Sequence, residues 1–198
     1  MHKFTLDKPD NLVDWWGESV TRFADRPLFG TKNKEGVYKW ATYKEIGNRI
    51  DNLRAGLTQL GIGKDDVVGI IANNRPEWAV IGFATWGCLA RYVPMYEAEL
   101  VQVWKYIIND SGAKVLFVSN PAIYEKIKDF PKDIPTLKHI FIIESDGDNS
   151  MASLEKKGAA KPVAPKSPKA EDVAELIYTS GTTGNPKGAM LTQGNWLT

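Results

Sequence analysis

The sequence predicts an α/β fold, a mostly parallel, doubly wound sheet flanked by helices. Three observations lead there. The runs VLFV at 115–118 and IFII at 140–143 are continuously apolar, as strands are when helices cover both faces of their sheet. Such runs alternate along the chain with segments of helical period. The 198 residues are 43% hydrophobic, enough to bury a substantial core without disulfides or a metal.

Taken in order, Trp15 and Trp16, flanked by Asp14 and Glu18, lie on an early amphipathic stretch. It reads as a helix docked on its own domain, with contact to a membrane or partner as the alternative. Pro27 to Trp40 reads as a β-hairpin broken at the polar turn Asn33, Lys34, Glu35 and Gly36. Thr42 followed by Glu45 is a capping box, and Ile46, Ile50, Leu53, Leu57 and Leu60 then share one helical face until Gly61. Val67 to Ala72 is a β-branched strand. Asn73 and Asn74 follow it as candidate caps for a helix opened by Pro76, expected over 77–89.

The alternation then repeats with strand 92–94, helix 99–109, strand 114–119, helix 121–129 and strand 138–144. From Lys156 to Lys169 the composition becomes KKGAAKPVAPKSPK, with Pro162, Pro165 and Pro168 three apart; an extended, solvated connector is expected, and docking on an SH3-like groove is the alternative. VAELIYTS at 173–180 resumes a strand.

Charge and cysteine usage narrow the function classes. Twenty-five Lys and Arg balance 24 Asp and Glu, so the long-range field of a nucleic-acid binder is missing. Cys88 is the single cysteine and the start MHKFTLDKPD has no apolar run, which makes a reducing cytoplasmic compartment the default. The most apolar stretch, 79–90, is too short to span a bilayer, so any membrane contact is expected to be peripheral.

The chemistry is concentrated in TSGTTGNPKG, Thr179 to Gly188. Glycines 181, 184 and 188 permit close backbone approach to an anion; Thr179, Ser180, Thr182 and Thr183 add hydroxyl donors and Lys187 a charge. Polyphosphate is the ligand this composition suits. A plain hairpin turn is the alternative. A P-loop NTPase is disfavoured, since Lys187 is followed by Gly188 where GxxxxGKS/T requires a hydroxyl and a helix.

The segment YTSGTTGNPKGAMLTQGNW resembles the signature phosphate-binding motif of the adenylate-forming synthetases, the family of acyl-CoA synthetases, luciferases and peptide-synthetase adenylation domains. TYKEIGNRIDNLRAGLTQLGIGKDDVVGIIANNRPEW, YVPMYEAEL and YIINDSGAKVLFV are similar to the amino-terminal part of fatty acyl-CoA synthetases, particularly the long-chain type. The resemblance implies an ATP-dependent acid–thiol ligase that activates a carboxylate as acyl-adenylate and passes it to coenzyme A. It implies that Thr179, Ser180, Gly181, Thr182, Thr183, Gly184 and Lys187 wrap the ATP β- and γ-phosphates, that Lys187 has a catalytic role and that Thr179 helps hold Mg²⁺. Small-molecule partners follow: ATP, a fatty acid and coenzyme A.

By the resemblance the chain is the amino-terminal portion of the synthetase domain, with a helix-and-hairpin entry over 1–40, an α/β core over 41–155, the connector over 156–169 and the phosphate-loop segment over 173–198. The acidic adenine and metal motif, the ribose-binding aspartate, the hinge and the mobile carboxy-terminal domain have no counterpart before Thr198, so an inactive fragment is expected. A non-catalytic nucleotide-binding module and another adenylating enzyme are the rival readings. Many relatives carry His where this chain has Gln193, which donates a hydrogen bond but does not titrate near neutrality. Asn195 is expected to cap the next helix.

Other constellations read blandly. Trp78, Phe83 and Trp86 suit core packing better than an acyl tunnel. Cys88, with Arg91 as its nearest basic residue in sequence, reads as a buried small hydrophobe, and His2 and His139 are too isolated for a metal site or a triad.

Overall fold

The computed structural model of the chain describes residues 9–179 and 184–197. Helix α1 (Leu12–Phe23) begins at Asn11, whose side chain accepts the Asp14 N–H. Strands β1 (Pro27–Lys32) and β2 (Tyr38–Thr42) form a separate antiparallel hairpin. Its turn is closed by Asn33, whose side-chain oxygen accepts the amides of Glu35 and Val37. Helix α2 (Tyr43–Gln59) starts at the reciprocal Thr42–Glu45 capping box and buries the face that carries Ile46, Ile50, Leu53 and Leu57.

The doubly wound part begins with β3 (Val67–Ile71) and α3 (Pro76–Trp86). This helix is shorter than its sequence suggests, and Asn73 and Asn74 do not cap it. Arg75 is the N-cap, without a side-chain cap bond; Pro76 in the first turn has no amide to satisfy. At the other end the chain reverses through Leu89, at φ +62°, so that Arg91 N–H reaches Asp66 O and the next strand can lie beside β3.

Strand β4 (Arg91–Met95) leads to α4 (Val101–Ser111), which stops at Gly112 in the left-handed conformation, φ +69°. Strand β5 (Val115–Val118) follows. The helix expected over 121–129 is α5 (Pro121–Ile127), and a short helix outside that expectation, α6 (Phe130–Asp133), follows as a separate element because Pro131 has no N–H to return to Ile127. Strand β6 (His139–Ile142) completes this half.

The connector expected from Lys156 is corrected at its start. Helix α7 (Met151–Ala159) takes in its first residues, since Gly158 lets that helix press against α2. The extended remainder is exposed over most of its course, as expected, and is tied to the fold at three points: Arg54 donates to Val163 O at 2.6 and 3.1 Å, Lys166 N–H bonds Gly87 O, and Pro168 is buried. Strands β7 (Val173–Thr179) and β8 (Lys187–Thr192) then form an antiparallel hairpin, followed by α8 (Gln193–Trp196). Thr192 is the cap of α8; Asn195, expected in that role, sits at the third helical position and accepts the Thr192 N–H in return.

The main sheet has six strands in the order β6-β5-β3-β4-β7-β8, parallel except for β8. Two cores fill its faces. Leu12, Ile46, Leu53, Ile81, Trp86 and Leu154 of α1, α2, α3 and α7 cover one, and Trp104, Ile108, Ile123, Ile127 and Phe130 of α4, α5 and α6 cover the other. The α/β doubly wound expectation is met, and the carboxyl ends of the parallel strands gather on one edge, where ligands bind in such sheets.

Candidate nucleotide-binding site

The glycine- and hydroxyl-rich segment closes the β7–β8 hairpin at that carboxyl edge. The ladder pairs Tyr178 with Gly188 and Thr179 with Lys187, so the two predicted site residues flanking the loop face each other at its base. Both are exposed. Gly184 stands at φ +125°, a conformation that only glycine adopts without strain. Ser180, Gly181, Thr182 and Thr183 lie outside the described residues.

Beside the loop base opens a cleft of about 380 Å³. Pro94, Met95, Tyr96 and Glu99 supply one wall, Val103 and Ile107 of α4 another, and Tyr178, Thr179 and Pro186 the hairpin side. β4 and β7 run side by side beneath it, with one ladder pair, Tyr92 with Glu175, among the described residues, since Pro94 on β4 has no N–H to donate. The segment after β4 is fixed by Trp104 Nε1, which donates to Tyr96 O at 2.8 Å, and by Glu97, which accepts the Asn73 N–H. The cleft's volume falls in the small-molecule range, and hydroxyls of Tyr96, Tyr178 and Thr179 and the carboxylate of Glu99 are among its lining groups. No cluster of three His, Cys, Asp or Glu able to hold a metal occurs among the described residues.

Tyr96, Glu99, Tyr178 and Asp110 are site-lining or site-bordering residues that motif reading does not single out. Tyr96 and Glu99 in YVPMYEAEL and Asp110 in YIINDSGAKVLFV entered only as part of the wider likeness, and Tyr178 only as the first residue of the signature segment. Tyr178 donates its hydroxyl to Asp110 Oδ2 at 2.6 Å, and burial together with that carboxylate pushes its phenol well above the ordinary tyrosine range. Glu175 is also missed. It is fully buried on β7 with both oxygens unpartnered among the described residues, and desolvation raises its carboxyl to about 7.

The remaining candidates take structural places. Trp86 donates to Ala174 O and meets Tyr92 and Phe83 edge-on, and Trp78 packs on Tyr92, so the aromatic group is core on the sheet face opposite α4. Trp16 lies 4.9 Å from Phe83, centroid to centroid, which docks α1 on its own domain. Cys88 is buried, and desolvation lifts its thiol; its basic neighbours are Arg54 and Lys166, brought from elsewhere in the chain, not Arg91. His139 stacks on Phe141, and His2 lies outside the described residues. Gln193 is buried at the end of β8 away from the loop, where its side-chain oxygen accepts the Leu12 N–H at 3.1 Å. It ties α8 to α1. No helix among the described residues is long and apolar enough to cross a membrane.

Comparison with known proteins places this geometry. The family model described as "AMP-binding enzyme" matches residues 16–198. The chain is 32% identical to long-chain-fatty-acid–CoA ligase 1 of Cavia porcellus over 97% of its own length and 30% of that protein's. It is 34% identical to a long-chain-fatty-acid–CoA ligase of Mycobacterium bovis, over 97% of this chain and 33% of that one. Among solved structures, a long-chain-fatty-acid–CoA ligase from Archaeoglobus fulgidus superposes with TM-score 0.80 at 26% identity, covering 100% of this chain and 40% of that one. An anthranilate–CoA ligase in complex with anthranoyl-AMP has the same fold, with TM-score 0.81 at 24% identity over 95% of this chain and 34% of its own. The chain thus spans about a third of the length of the curated relatives it matches. With the signature segment on the hairpin and the family model covering all but the first turn of the described fold, the chain belongs to the AMP-binding enzymes.

Proposed function

We propose that this chain is the phosphate-gripping part of an ATP-dependent fatty acid–CoA ligase, and that the β7–β8 loop holds the β- and γ-phosphates of ATP. The observation that carries the reading is the pairing of Thr179 with Lys187 at the base of a glycine-rich loop beside an open cleft. In the reaction a carboxylate oxygen attacks the ATP α-phosphorus, the bond to the bridging oxygen breaks, and pyrophosphate leaves; the coenzyme A thiol then displaces AMP from the acyl-adenylate. Two anions must approach, so fixed donors and a cation at the departing pyrophosphate lower the barrier. Thr179 and the loop hydroxyls Ser180, Thr182 and Thr183 supply donors, the amides at Gly181 and Gly184 approach closely, and Lys187 supplies the charge. Mg²⁺, when bound, neutralises the phosphate oxygens; the described residues suit an ion held mainly by those phosphates, with Thr179 as one protein ligand.

Identity of 32–34% to long-chain ligases supports a fatty acid over an aryl acid as substrate. About three charge-assisted hydrogen bonds at roughly 1.5–3 kcal/mol each total about 4.5–9 kcal/mol, which at best offsets the roughly 4–15 kcal/mol entropic cost of association. The 198-residue chain alone is therefore expected to bind ATP no tighter than about millimolar in a calorimetric titration and to form no acyl-CoA. In the full-length protein, Lys187→Ala should cut pyrophosphate exchange at least about tenfold while the melting temperature stays put, because Lys187 is exposed on an edge strand. An unaffected exchange rate removes Lys187 from the site.

A further inference from the structure

The β7–β8 hairpin forms the edge of the sheet, β8 being the outermost strand, and β7 lies beside β4 with Tyr92–Glu175 as the one ladder pair between them among the described residues. From Leu176 onward the ladder partner of β7 among the described residues is β8, while Leu176 and Tyr178 pack on the second core. The hairpin's loop end is fixed through Tyr178. The hydroxyl donates to Asp110 in the last turn of α4, the helix whose Val103 and Ile107 form the far wall of the cleft. The ring lies on Gly188, where an added Cβ would stand 2.9 Å from Tyr178 Cζ. One side chain thereby joins β7, β8 and α4 at the last register pair before Thr179 and Lys187.

We propose that Tyr178 and Asp110 form a latch that sets the position of Thr179 and Lys187, the base of the phosphate loop, beside the cleft, making Tyr178 a positioning residue for ATP. The proposal rests on the phosphate-binding reading of the loop. Packing alone does not require the hydroxyl, since a phenylalanine ring would cover Gly188 equally well; the hydroxyl serves the bond to α4. That bond is at the surface, so it adds little to stability, whereas freeing the hairpin moves both ends of the loop together. Displacements of about 1 Å in such a site are enough to impair it.

The test is pyrophosphate exchange against ATP concentration in the full-length protein. Tyr178→Phe keeps the ring and removes the hydroxyl; the KM for ATP should rise about three- to tenfold with the melting temperature nearly unchanged. Asp110→Ala should do the same, and the double variant no more than either. Asp110→Asn, whose amide oxygen still accepts the bond, should stay within about twofold of the native KM. If Lys187→Ala impairs exchange while Tyr178→Phe and Asp110→Ala leave the KM for ATP unchanged, the latch is overturned and the phosphate reading stands. If Lys187→Ala is silent as well, both fall. Equal KM values for Asp110→Asn and Asp110→Ala, with only a loss of melting temperature between them, would reduce the pair to a stabilising contact and overturn the proposal.

Discussion

Glu175 is a carboxylate shut away from water. With both carboxylate oxygens unpartnered among the described residues, its charged form is disfavoured and the carboxyl sits near 7 instead of 4.5. The folded state thus holds a proton that the unfolded chain has lost, so stability is greatest below about pH 4.5, declines as pH rises through about 7 and is level above that. The loss amounts to about 3 kcal/mol. Glu175→Gln should remove it: urea denaturation at pH 5 and pH 8 should show the variant gaining about 3 kcal/mol on the native chain between the two, and parallel curves would refute the assignment. Gln193 makes the complementary case, a buried polar side chain that is satisfied. Gln193→Ala orphans the Leu12 N–H and should destabilise the fold by about 1–3 kcal/mol in the same assay without altering exchange chemistry. The sequence marked Gln193 as a departure from the family, but its partner stands 181 residues away and only folding brings them together. Glu175 has no local signal at all, because its position reads as one more place in an alternating strand.

At the level of elements, the contrast between α2 and α7 shows what local chemistry can announce. Helix α2 declares itself through its capping box and apolar stripe, both of which depend on residues within one segment. Helix α7 contains KKGA, whose glycine weakens the helical reading. The glycine is there because α7 crosses α2 with backbone against backbone: a Cβ on Gly158 would fall 1.8 Å from Asn52 O, and one on Gly56 2.7 Å from Leu154 O. Arg49 of α2 then reaches Glu155 of α7 at 3.1 Å and Glu77 of α3 at 3.0 Å, which fixes the three helices in register. Gly158→Ala should therefore force the helices apart and cost at least about 3 kcal/mol in thermal or urea unfolding, the opposite of the usual gain from replacing a helical glycine. A stabilised variant would show that the crossing is looser than described. The split of α5 from α6 follows the same division: Pro131 was visible as a breaker, but whether the chain resumes as a helix depended on Phe130 finding the second core.

Across the whole molecule, the sheet order places the hairpin at the edge beside β4, and the cleft lies where its loop end faces Tyr96, Glu99 and α4. Fold class, the capping box, the apolar strands and the hydroxyl–glycine–lysine segment were set by the sequence by itself, since each arises from backbone propensity or side-chain type within a few residues. The attachments of the proline-rich connector, the α2–α7 crossing, the Gln193–Leu12 tie, the proton on Glu175 and the Tyr178–Asp110 bond were decided by tertiary structure alone. Those features are distances between groups far apart in the chain, and a distance of that kind exists only after burial of apolar surface has chosen which faces meet.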